Sequence, residues 1–207
     1  MKPSICAIIL AAGTSSRMGK PKQMLPLGND PILEHVINCS LHENFSEVIA
    51  VIGHEANTIK ENILIDSERF RWVVNESYLL GQGSSLKVGV ENLKKHHSNI
   101  MVFLGDLPFL STKTIRAIYQ HGAKRLEETD APFIIRPMYN GDVGHPVFFG
   151  NIDRHLFAQL QGDTGGKAIM HQISDHTFLK VEDGGVLFDV DTLADYEKAN
   201  KIAKHLF

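Results

Sequence analysis

The chain has 207 residues, of which 43% are hydrophobic and 22% are charged, and its formal net charge is −3. This length suits one globular domain with a sizeable core. The slightly negative charge argues against a general nucleic-acid binder, which would usually carry a basic face. No apolar run approaches the length of a membrane span. We therefore expect a protein whose partners are neither nucleic acids nor membranes.

Cysteine usage and the start of the chain indicate a cytoplasmic protein. Cys6 and Cys39 each lie in an apolar segment, which is typical of buried free thiols in a reducing compartment. The first residues lead directly into an expected strand and lack the features of a secretory signal peptide. The cytoplasm is therefore the expected location.

The most informative stretch is an abrupt change from apolar to small and basic residues. The run 5–10, ICAIIL, predicts a strand buried on both faces, and the segment 11–22, AAGTSSRMGKPK, follows it. Small side chains allow a ligand to approach the backbone, successive N–H groups can form an anion site, and Arg17 and Lys22 add positive charge. We interpret the segment as a polyphosphate cradle; the alternative is a surface turn with solvated cations.

The segment matches neither of two common phosphate-binding motifs. It lacks the Gly-Lys-Ser/Thr ending of a Walker loop, and it lacks the Gly-x-Gly-x-x-Gly fingerprint of dinucleotide-binding folds. The missing fingerprint disfavours a nicotinamide oxidoreductase.

Apolar strands alternate with helical segments along the first two thirds of the chain. This alternation predicts an α/β fold with a doubly wound, mostly parallel sheet. The expected strands are 5–10, 48–52, 71–75, 100–104 and 132–135. The expected helices are 31–41 capped by Asp30, 54–64, 85–97 with Ser84 as a candidate cap, and a helix capped by Ser111 that ends near Glu128. Ligands of such sheets bind outside the carboxyl ends of the strands, so residues that directly follow strands are the candidate functional residues.

From residue 136 onward, glycines interrupt short segments. We expect one domain over residues 1–207, with this second part forming a small irregular lobe that faces the substrate. Its end, 186–191, is expected to be a strand, followed by a helix that Thr192 or Asp195 caps.

Three aspartates are candidate metal ligands. Asp106 comes just after the apolar strand 100–104, and a carboxylate there, near a phosphate cradle, can hold Mg²⁺; the alternative is a turn aspartate. Asp189 and Asp191 would share a face of the expected closing strand. A pair formed by Asp106 and Asp191 would suit the oxygen ligands that Mg²⁺ prefers, which leaves Asp189 as a supporting or a solvent-facing residue.

A glycine- and serine-rich segment, 81–86 (GQGSSL), follows the third expected strand. Its backbone N–H groups and its hydroxyl groups can bind a base or a ribose, although a plain helix start explains the same residues. The segment 160–167, LQGDTGGK, is a second candidate anion site, with Lys167 at an expected helix start; the alternative is a plain surface loop.

The segment 10–22 resembles the signature loop of the nucleotidyltransferases that make molybdopterin nucleotides and sugar nucleotides, and it is most similar to that of molybdenum cofactor cytidylyltransferases. Further segments resemble the family's motifs in the family's order: GDLP at 105–108, GHP at 144–146, GDTGG at 162–166 and DVDT at 189–192. The resemblance implies a Rossmann-like nucleotidyltransferase fold, with a nucleotide-binding half at 1–135 and an acceptor-binding and closing half at 136–207.

The resemblance also implies roles for individual residues. Catalytic roles fall on Arg17, Lys22 and Asp106. The ligands of Mg²⁺, or of Mn²⁺, would be Asp106 and Asp191. The nucleotide-binding residues would be Leu10, Ala11, Ala12, Gly13, Ser15, Arg17, Lys22, Gly81, Gln82, Ser85 and Asp106. The acceptor-binding residues would be Arg136, Gly144, His145 and Lys167.

The implied reaction is transfer of CMP from CTP to the terminal phosphate of Mo-molybdopterin, giving molybdopterin cytosine dinucleotide and pyrophosphate. Ala12 favours CTP, because the related guanylyltransferases usually have Leu-Ala-Gly-Gly where this chain has LAAG at 10–13. A client molybdoenzyme of the xanthine dehydrogenase type is a further implied partner. The alternatives are guanylyl transfer to the same cofactor, a sugar- or alditol-phosphate nucleotidyltransferase, and a non-catalytic nucleotide-binding cofactor chaperone.

Overall fold

The structure is a computed structural model that describes residues 4–15, 18–94, 98–160, 162 and 165–206. The strands are β1 (Ile5–Ala11), β2 (Pro26–Leu27), β3 (Asp30–Pro31), β4 (Glu47–Ile52), β5 (Phe70–Val74), β6 (Asn99–Leu104), β7 (Phe133–Tyr139), β8 (Asp142–Val143), β9 (Val147–Gly150) and β10 (His176–Lys180). The α-helices are α1 (Ile32–Leu41), α2 (Ala56–Asn62), α3 (Gln82–Glu91), α4 (Thr112–Glu128), α5 (His155–Ala158), α6 (Lys167–Met170) and α7 (Leu193–Leu206).

The main sheet has the strand order β10-β7-β9-β6-β1-β4-β5, and β8 pairs with β7. Neighbouring strands run parallel except that β9 is antiparallel to both β6 and β7, and β8 is antiparallel to β7. β2 and β3 form a small separate antiparallel pair. The predicted α/β fold with a mostly parallel sheet is therefore confirmed.

Two apolar layers enclose the central strands. Along β1, Ile5, Ala7 and Ile9 belong to the cluster that includes side chains of α1 and α4, whereas Cys6 and Ile8 belong to the cluster that includes side chains of α3. This alternation is the period-two pattern of a strand that is covered on both faces. Each fully buried isoleucine side chain contributes about 1.5–3 kcal/mol, so these layers fix the position of β1 and of the loop after it.

Both cysteines are free thiols, as the sequence predicts; Cys6 is buried and Cys39 is half-buried. Burial raises the pKa of each thiol to about 12. Both are therefore protonated and unreactive at neutral pH.

Two expected helix caps are wrong, and one is confirmed. Asp30 belongs to β3, where it pairs with Leu27, and α1 begins after Pro31 without a side-chain cap. α3 begins three residues earlier than expected, at Gln82, so Ser84 lies inside its first turn and its Oγ donates to the carbonyl oxygen of Gly81 at 2.8 Å. Ser111 caps α4 as predicted, since its Oγ accepts a hydrogen bond from the backbone N–H of Thr114.

The end of the chain differs from its prediction. The segment 186–191 is not a strand: a 3₁₀ turn covers Gly184–Val186, and the backbone N–H of Val190 donates to the carbonyl oxygen of Asp106 at 3.0 Å instead of to a neighbouring strand. Both candidate caps of α7 act together, because Thr192 Oγ1 accepts from the N–H of Asp195 while Asp195 Oδ2 accepts from the N–H of Thr192. This is a reciprocal capping arrangement.

The second part of the chain is more regular than the expected irregular lobe. β9 and β10 join the main sheet, and β9 lies between β6 and β7. Because β9 runs opposite to β6, its start lies at the edge where β1 and β6 end. The segment before β9, residues 144–146, therefore reaches the same edge as the loops after β1 and β6.

Among the described helices, none combines the length and the apolar character needed to cross a lipid bilayer.

Candidate functional site

A cleft of about 350 Å³ lies at the carboxyl ends of β1 and β6, and we call it the β1 cleft. It brings together predicted nucleotide-binding residues from three separate segments: Leu10, Ala11, Ala12, Gly13, Lys22, Gly81, Gln82, Ser85 and Asp106. Further lining residues that the sequence did not single out are Thr14, Gln23, Tyr78, Leu79 and Leu104. Ser15 is not among the residues that line the cleft, and the predicted catalytic Arg17 lies outside the described residues.

Gln23 shapes the loop that forms one wall of the β1 cleft. Its buried side-chain amide donates hydrogen bonds to the carbonyl oxygens of Ala11 at 2.9 Å and Gly13 at 3.0 Å. Its Oε1 accepts from Ser15 Oγ at 3.2 Å, and Ser15 Oγ accepts from the backbone N–H of Lys22 at 3.0 Å. Gln23 thus pairs with two carbonyl groups of the loop and connects them to the backbone of Lys22 through Ser15. Sequence reasoning missed Gln23 because a glutamine in a turn gives no signal of burial.

Gly105 allows Asp106 to lie beside the loop after β1. The backbone N–H of Gly105 donates to the carbonyl oxygen of Leu10 at 2.9 Å. A Cβ atom at position 105 would lie only 2.8 Å from the Cβ of Ala11. A larger residue would therefore push β1 and the Asp106 turn apart.

Lys22 bridges two of the predicted metal ligands. Its Nζ lies 2.5 Å from Oδ2 of Asp106 and 2.6 Å from Oδ1 of Asp191, and the three side chains are 15%, 18% and 28% exposed. Burial alone would lower the pKa of Lys22, but the two carboxylates outweigh it and raise that pKa. Lys22 is therefore a cation at neutral pH.

The carboxylates of Asp106 and Asp191 suit a hard divalent cation. Oδ1 of Asp106 is buried and has no hydrogen-bond partner among the described residues, so it is available as a ligand. The part of the chain that the structure describes contains no group of three or more histidine, cysteine, aspartate or glutamate side chains that could hold a metal ion. Mg²⁺ is commonly held by one or two carboxylates together with substrate phosphates and water. The two aspartates therefore fit Mg²⁺ or Mn²⁺ that binds with a phosphate ligand.

The start of α3 forms the opposite wall of the β1 cleft. Asn75, buried at the end of β5, donates from Nδ2 to Ser84 Oγ at 2.9 Å and to Ser85 Oγ at 3.0 Å. Ser85 thus has a fixed hydroxyl group at the cleft wall. The Oε1 of Gln82 lies 2.6 Å from the position that a Cβ of Gly165 would occupy, so the loop before α6 touches Gln82.

The predicted acceptor-binding residues do not line the β1 cleft. Three of them interact electrostatically, since the charges of two act on the third, and we call them the basic cluster: Arg136, Lys167 and His145. Desolvation, together with the charges of Arg136 and Lys167, lowers the pKa of His145 to about 4. His145 is therefore a neutral side chain beside two cations. Nδ1 of His145 and Nε of Arg136 are buried without a hydrogen-bond partner among the described residues.

Backbone hydrogen bonds fix the position of the basic cluster. The N–H of Gly144 donates to the carbonyl oxygen of Pro137 at 2.9 Å, and the N–H of His145 donates to that of Val186 at 3.0 Å. The segment that contains Val186 is in turn bonded to Asp106 through the N–H of Val190. The basic cluster is thereby joined to the Asp106 turn, which borders the β1 cleft.

The sequence profile of the MobA-like NTP transferase domain matches residues 7–177, which include most of β1, all of β6, the β1 cleft and the basic cluster. The chain belongs to this family. The matched residues end before Asp189 and Asp191, so the assignment of Asp191 depends on its contact with Lys22.

Two curated relatives are similar over most of their length. The molybdenum cofactor cytidylyltransferase of Escherichia coli (strain K12) is 29% identical over 198 residues, which cover 96% of this chain and 96% of that protein. The nicotine blue oxidoreductase of Paenarthrobacter nicotinovorans is 29% identical over 180 residues, which cover 82% of this chain and 83% of that protein.

Solved structures of Rv0371c from Mycobacterium tuberculosis H37Rv share the fold. One superposes with a TM-score of 0.81 at 28% identity and covers 97% of this chain and 99% of its own. Another, a complex with manganese, gives a TM-score of 0.78 at 26% identity and covers 97% of this chain and 100% of its own. The resemblance seen in the signature loop is thus confirmed, and the chain is a nucleotidyltransferase of the MobA-like family.

Proposed function

We propose that the protein transfers CMP from CTP to the terminal phosphate of Mo-molybdopterin, releasing pyrophosphate. The observation that carries this proposal is the convergence of the signature loop, Lys22 and Asp106 on the β1 cleft. The E. coli relative, a molybdenum cofactor cytidylyltransferase that covers 96% of this chain, supports the choice of donor and acceptor.

In this proposal the loop after β1 holds the triphosphate. The backbone N–H groups of the loop residues that line the cleft would bind the phosphates, while Gln23 pairs with the carbonyl oxygens of Ala11 and Gly13. Lys22 adds a positive charge beside the phosphates, and the resemblance assigns the same role to Arg17. Such charges stabilise the negative charge that builds up on the departing pyrophosphate.

Asp106 and Asp191 are the proposed ligands of Mg²⁺ or Mn²⁺. The bound metal would neutralise phosphate charge and polarise the α-phosphate. Their carboxylate oxygens supply the donors that these ions prefer, and Oδ1 of Asp106 has no hydrogen-bond partner among the described residues. The manganese complex of Rv0371c is consistent with metal use in this family.

The acceptor phosphate would bind at the basic cluster and attack the α-phosphorus in line. One oxygen–phosphorus bond forms to the acceptor, the bond between the α-phosphorus and its bridging oxygen breaks, and pyrophosphate leaves. Arg136 and Lys167 supply the positive charge, while His145 stays neutral and contributes hydrogen bonds. The protein needs no covalent nucleophile, since positioning and charge neutralisation carry such reactions. Residues 1–135 would thus bind the nucleotide and residues 136–207 the acceptor.

Ala12, Gln82 and Ser85 are the residues that we propose to select the donor base. Ala12 and the two polar side chains line the same cleft. If Ala12 does not exclude guanine, the same site performs guanylyl transfer to the same cofactor. A sugar- or alditol-phosphate acceptor would use the β1 cleft unchanged and would differ only at the basic cluster.

The deciding measurement is pyrophosphate release from CTP, GTP, ATP and UTP in Mg²⁺, with and without molybdopterin-type cofactor. Release from CTP only when the cofactor is present supports the proposal. Release from GTP keeps the mechanism and contradicts the role of Ala12. Binding of nucleotide without release of pyrophosphate from any acceptor, sugar phosphates included, would indicate a cofactor chaperone.

The P. nicotinovorans relative makes an oxidoreductase the second candidate. The chain contains no Gly-x-Gly-x-x-Gly fingerprint, and the aspartate pair beside the β1 cleft has no evident use in hydride transfer. Oxidation of NADH or NADPH, followed in the same preparations by absorbance, tests this candidate directly. Oxidation of NADH or NADPH by the protein, without pyrophosphate release from any nucleotide, would contradict the transferase proposal and support an oxidoreductase.

A further inference from the structure

The ammonium group of Lys22 occupies the space between the two proposed metal-binding carboxylates. It contacts Oδ2 of Asp106 at 2.5 Å and Oδ1 of Asp191 at 2.6 Å. A divalent metal held by these aspartates would use the same two oxygen atoms. The lysine and the metal therefore compete for one set of ligands.

The backbone of Lys22 is fixed, whereas its side chain can move. The N–H of Lys22 donates to Ser15 Oγ at 3.0 Å, and residues Lys22–Met24 form a 3₁₀ turn that holds the main chain. The side chain ends in a compact charge on a flexible four-carbon stem. Lys22 also lines the β1 cleft, where phosphate oxygens would offer its ammonium group an alternative partner.

We infer, resting on the proposed function of this site, that Lys22 is a resident counter-cation that is exchanged for the divalent metal when a triphosphate enters the β1 cleft. In the free protein, Lys22 holds Asp106 and Asp191 together and excludes the metal. The incoming phosphates draw the ammonium group away and leave the carboxylate oxygens to the metal. Metal binding thereby becomes dependent on nucleotide binding, without any covalent step.

The test measures Mn²⁺ binding to the full chain in the absence of nucleotide. The concentration of free Mn²⁺ is determined from its electron paramagnetic resonance signal. Lys22→Met removes the competing charge and is expected to lower the Kd for Mn²⁺ about tenfold, the effect of losing two partly buried ion pairs. Lys20→Met is the matched control, because Lys20 is an exposed lysine of the same segment, and it should leave the Kd unchanged. The double variant Lys22→Met with Asp191→Asn should not show this increase in Mn²⁺ affinity.

A second readout separates exchange from a folding defect. Without metal, Lys22→Met leaves two carboxylates facing each other, so Mn²⁺ should raise its melting temperature more than that of the wild-type protein. Both measurements are repeated on Lys22→Gln, whose side chain is polar but carries no charge. Equal Mn²⁺ affinity in the wild-type protein and both variants, with a loss in Asp191→Asn, would overturn the exchange while leaving the proposed metal site intact. Mn²⁺ binding that is insensitive to Asp106→Asn and Asp191→Asn would instead overturn the metal site.

Discussion

The side-chain Nε2 of Gln23 lies 2.9 Å from the carbonyl oxygen of Ala11 and donates a hydrogen bond to it. The same nitrogen donates to the carbonyl oxygen of Gly13, and the glutamine is only 3% exposed. Two carbonyl groups of the signature loop are thus paired by a side chain that also lines the β1 cleft. Gln23 is a positioning residue in this arrangement, since it acts through the loop.

Replacing Gln23 should impair nucleotide binding as well as stability. Gln23→Leu leaves two carbonyl oxygens unpaired next to an apolar side chain, at a cost of about 1–3 kcal/mol in the free energy of unfolding. Because the loop would lose its shape, the KM for the nucleotide should rise about tenfold, equivalent to about 1.4 kcal/mol of binding energy. Steady-state kinetics and urea unfolding measure the two effects. Gln120→Leu, at an exposed position of α4, is the control and should change neither. A stability loss with an unchanged KM would reduce Gln23 to a purely structural role.

Asp191 and Asp189 should differ sharply in importance. Asp191 contacts Lys22, whereas Asp189 is exposed. Partial desolvation, followed by the nearby carboxylates of Asp191 and Asp106, raises the pKa of Asp189, so Asp189 lies near this pair. Asp191→Asn is expected to lower kcat at least about 100-fold, because a proposed metal ligand is lost. Asp189→Asn, the matched change two residues away, should leave kcat near the wild-type value.

Metal titration of the same two variants checks the cause. If Asp191 is a ligand, Asp191→Asn needs a higher concentration of Mg²⁺ for half-maximal activity, and Asp189→Asn does not. The reverse ranking of the two variants would exchange their roles. Equal losses in both would mean that they act through the shape of the segment before α7.

The sequence predicts the sheet and most of the β1 cleft, because both depend on local patterns. Unbroken apolar runs identify β1, β4 and β6, and the positions that follow them include Ala12 and Asp106. The sequence does not predict β9 and β10, because strands of only four and five residues are too short to show a clear periodicity. The prediction of a strand at 186–191 is wrong, because the backbone N–H of Val190 donates to the carbonyl oxygen of Asp106. These residues are more than eighty positions apart in the sequence, so no local pattern reveals their contact. The burial of Gln23 and the bridging position of Lys22 likewise depend on tertiary contacts.

Gly165 should influence the nucleotide through Gln82. A Cβ at position 165 would lie 2.6 Å from Oε1 of Gln82, the mobile end of a side chain that lines the β1 cleft. Gly165→Ala should therefore displace Gln82 and raise the KM for the nucleotide several-fold. Gly162→Ala is the matched control. Gly165 and Gly162 both have a positive φ, 52° and 65°, but no atom of the described residues lies within 4 Å of a Cβ at position 162. Both variants should lose about 1 kcal/mol of stability from backbone strain. A KM that rises equally in the two would show that the strain, and not Gln82, is responsible.

His145 should make stability depend on pH. Desolvation and the charge of Arg136 lower the pKa of His145 to about 4, compared with an ordinary value of 6.5 in the unfolded chain. Between these values the unfolded chain binds a proton that the folded protein does not, so stability falls as the pH drops from about 6.5 towards 4 and is unaffected by this group above 6.5. Urea unfolding at pH 7 and pH 5 should show a loss of about 2 kcal/mol that His145→Asn removes. His155→Asn, which replaces an exposed histidine, is the control, and its stability should fall between pH 7 and pH 5 as much as that of the wild-type protein. A wild-type pH slope in His145→Asn would mean that His145 is not held neutral in the folded protein.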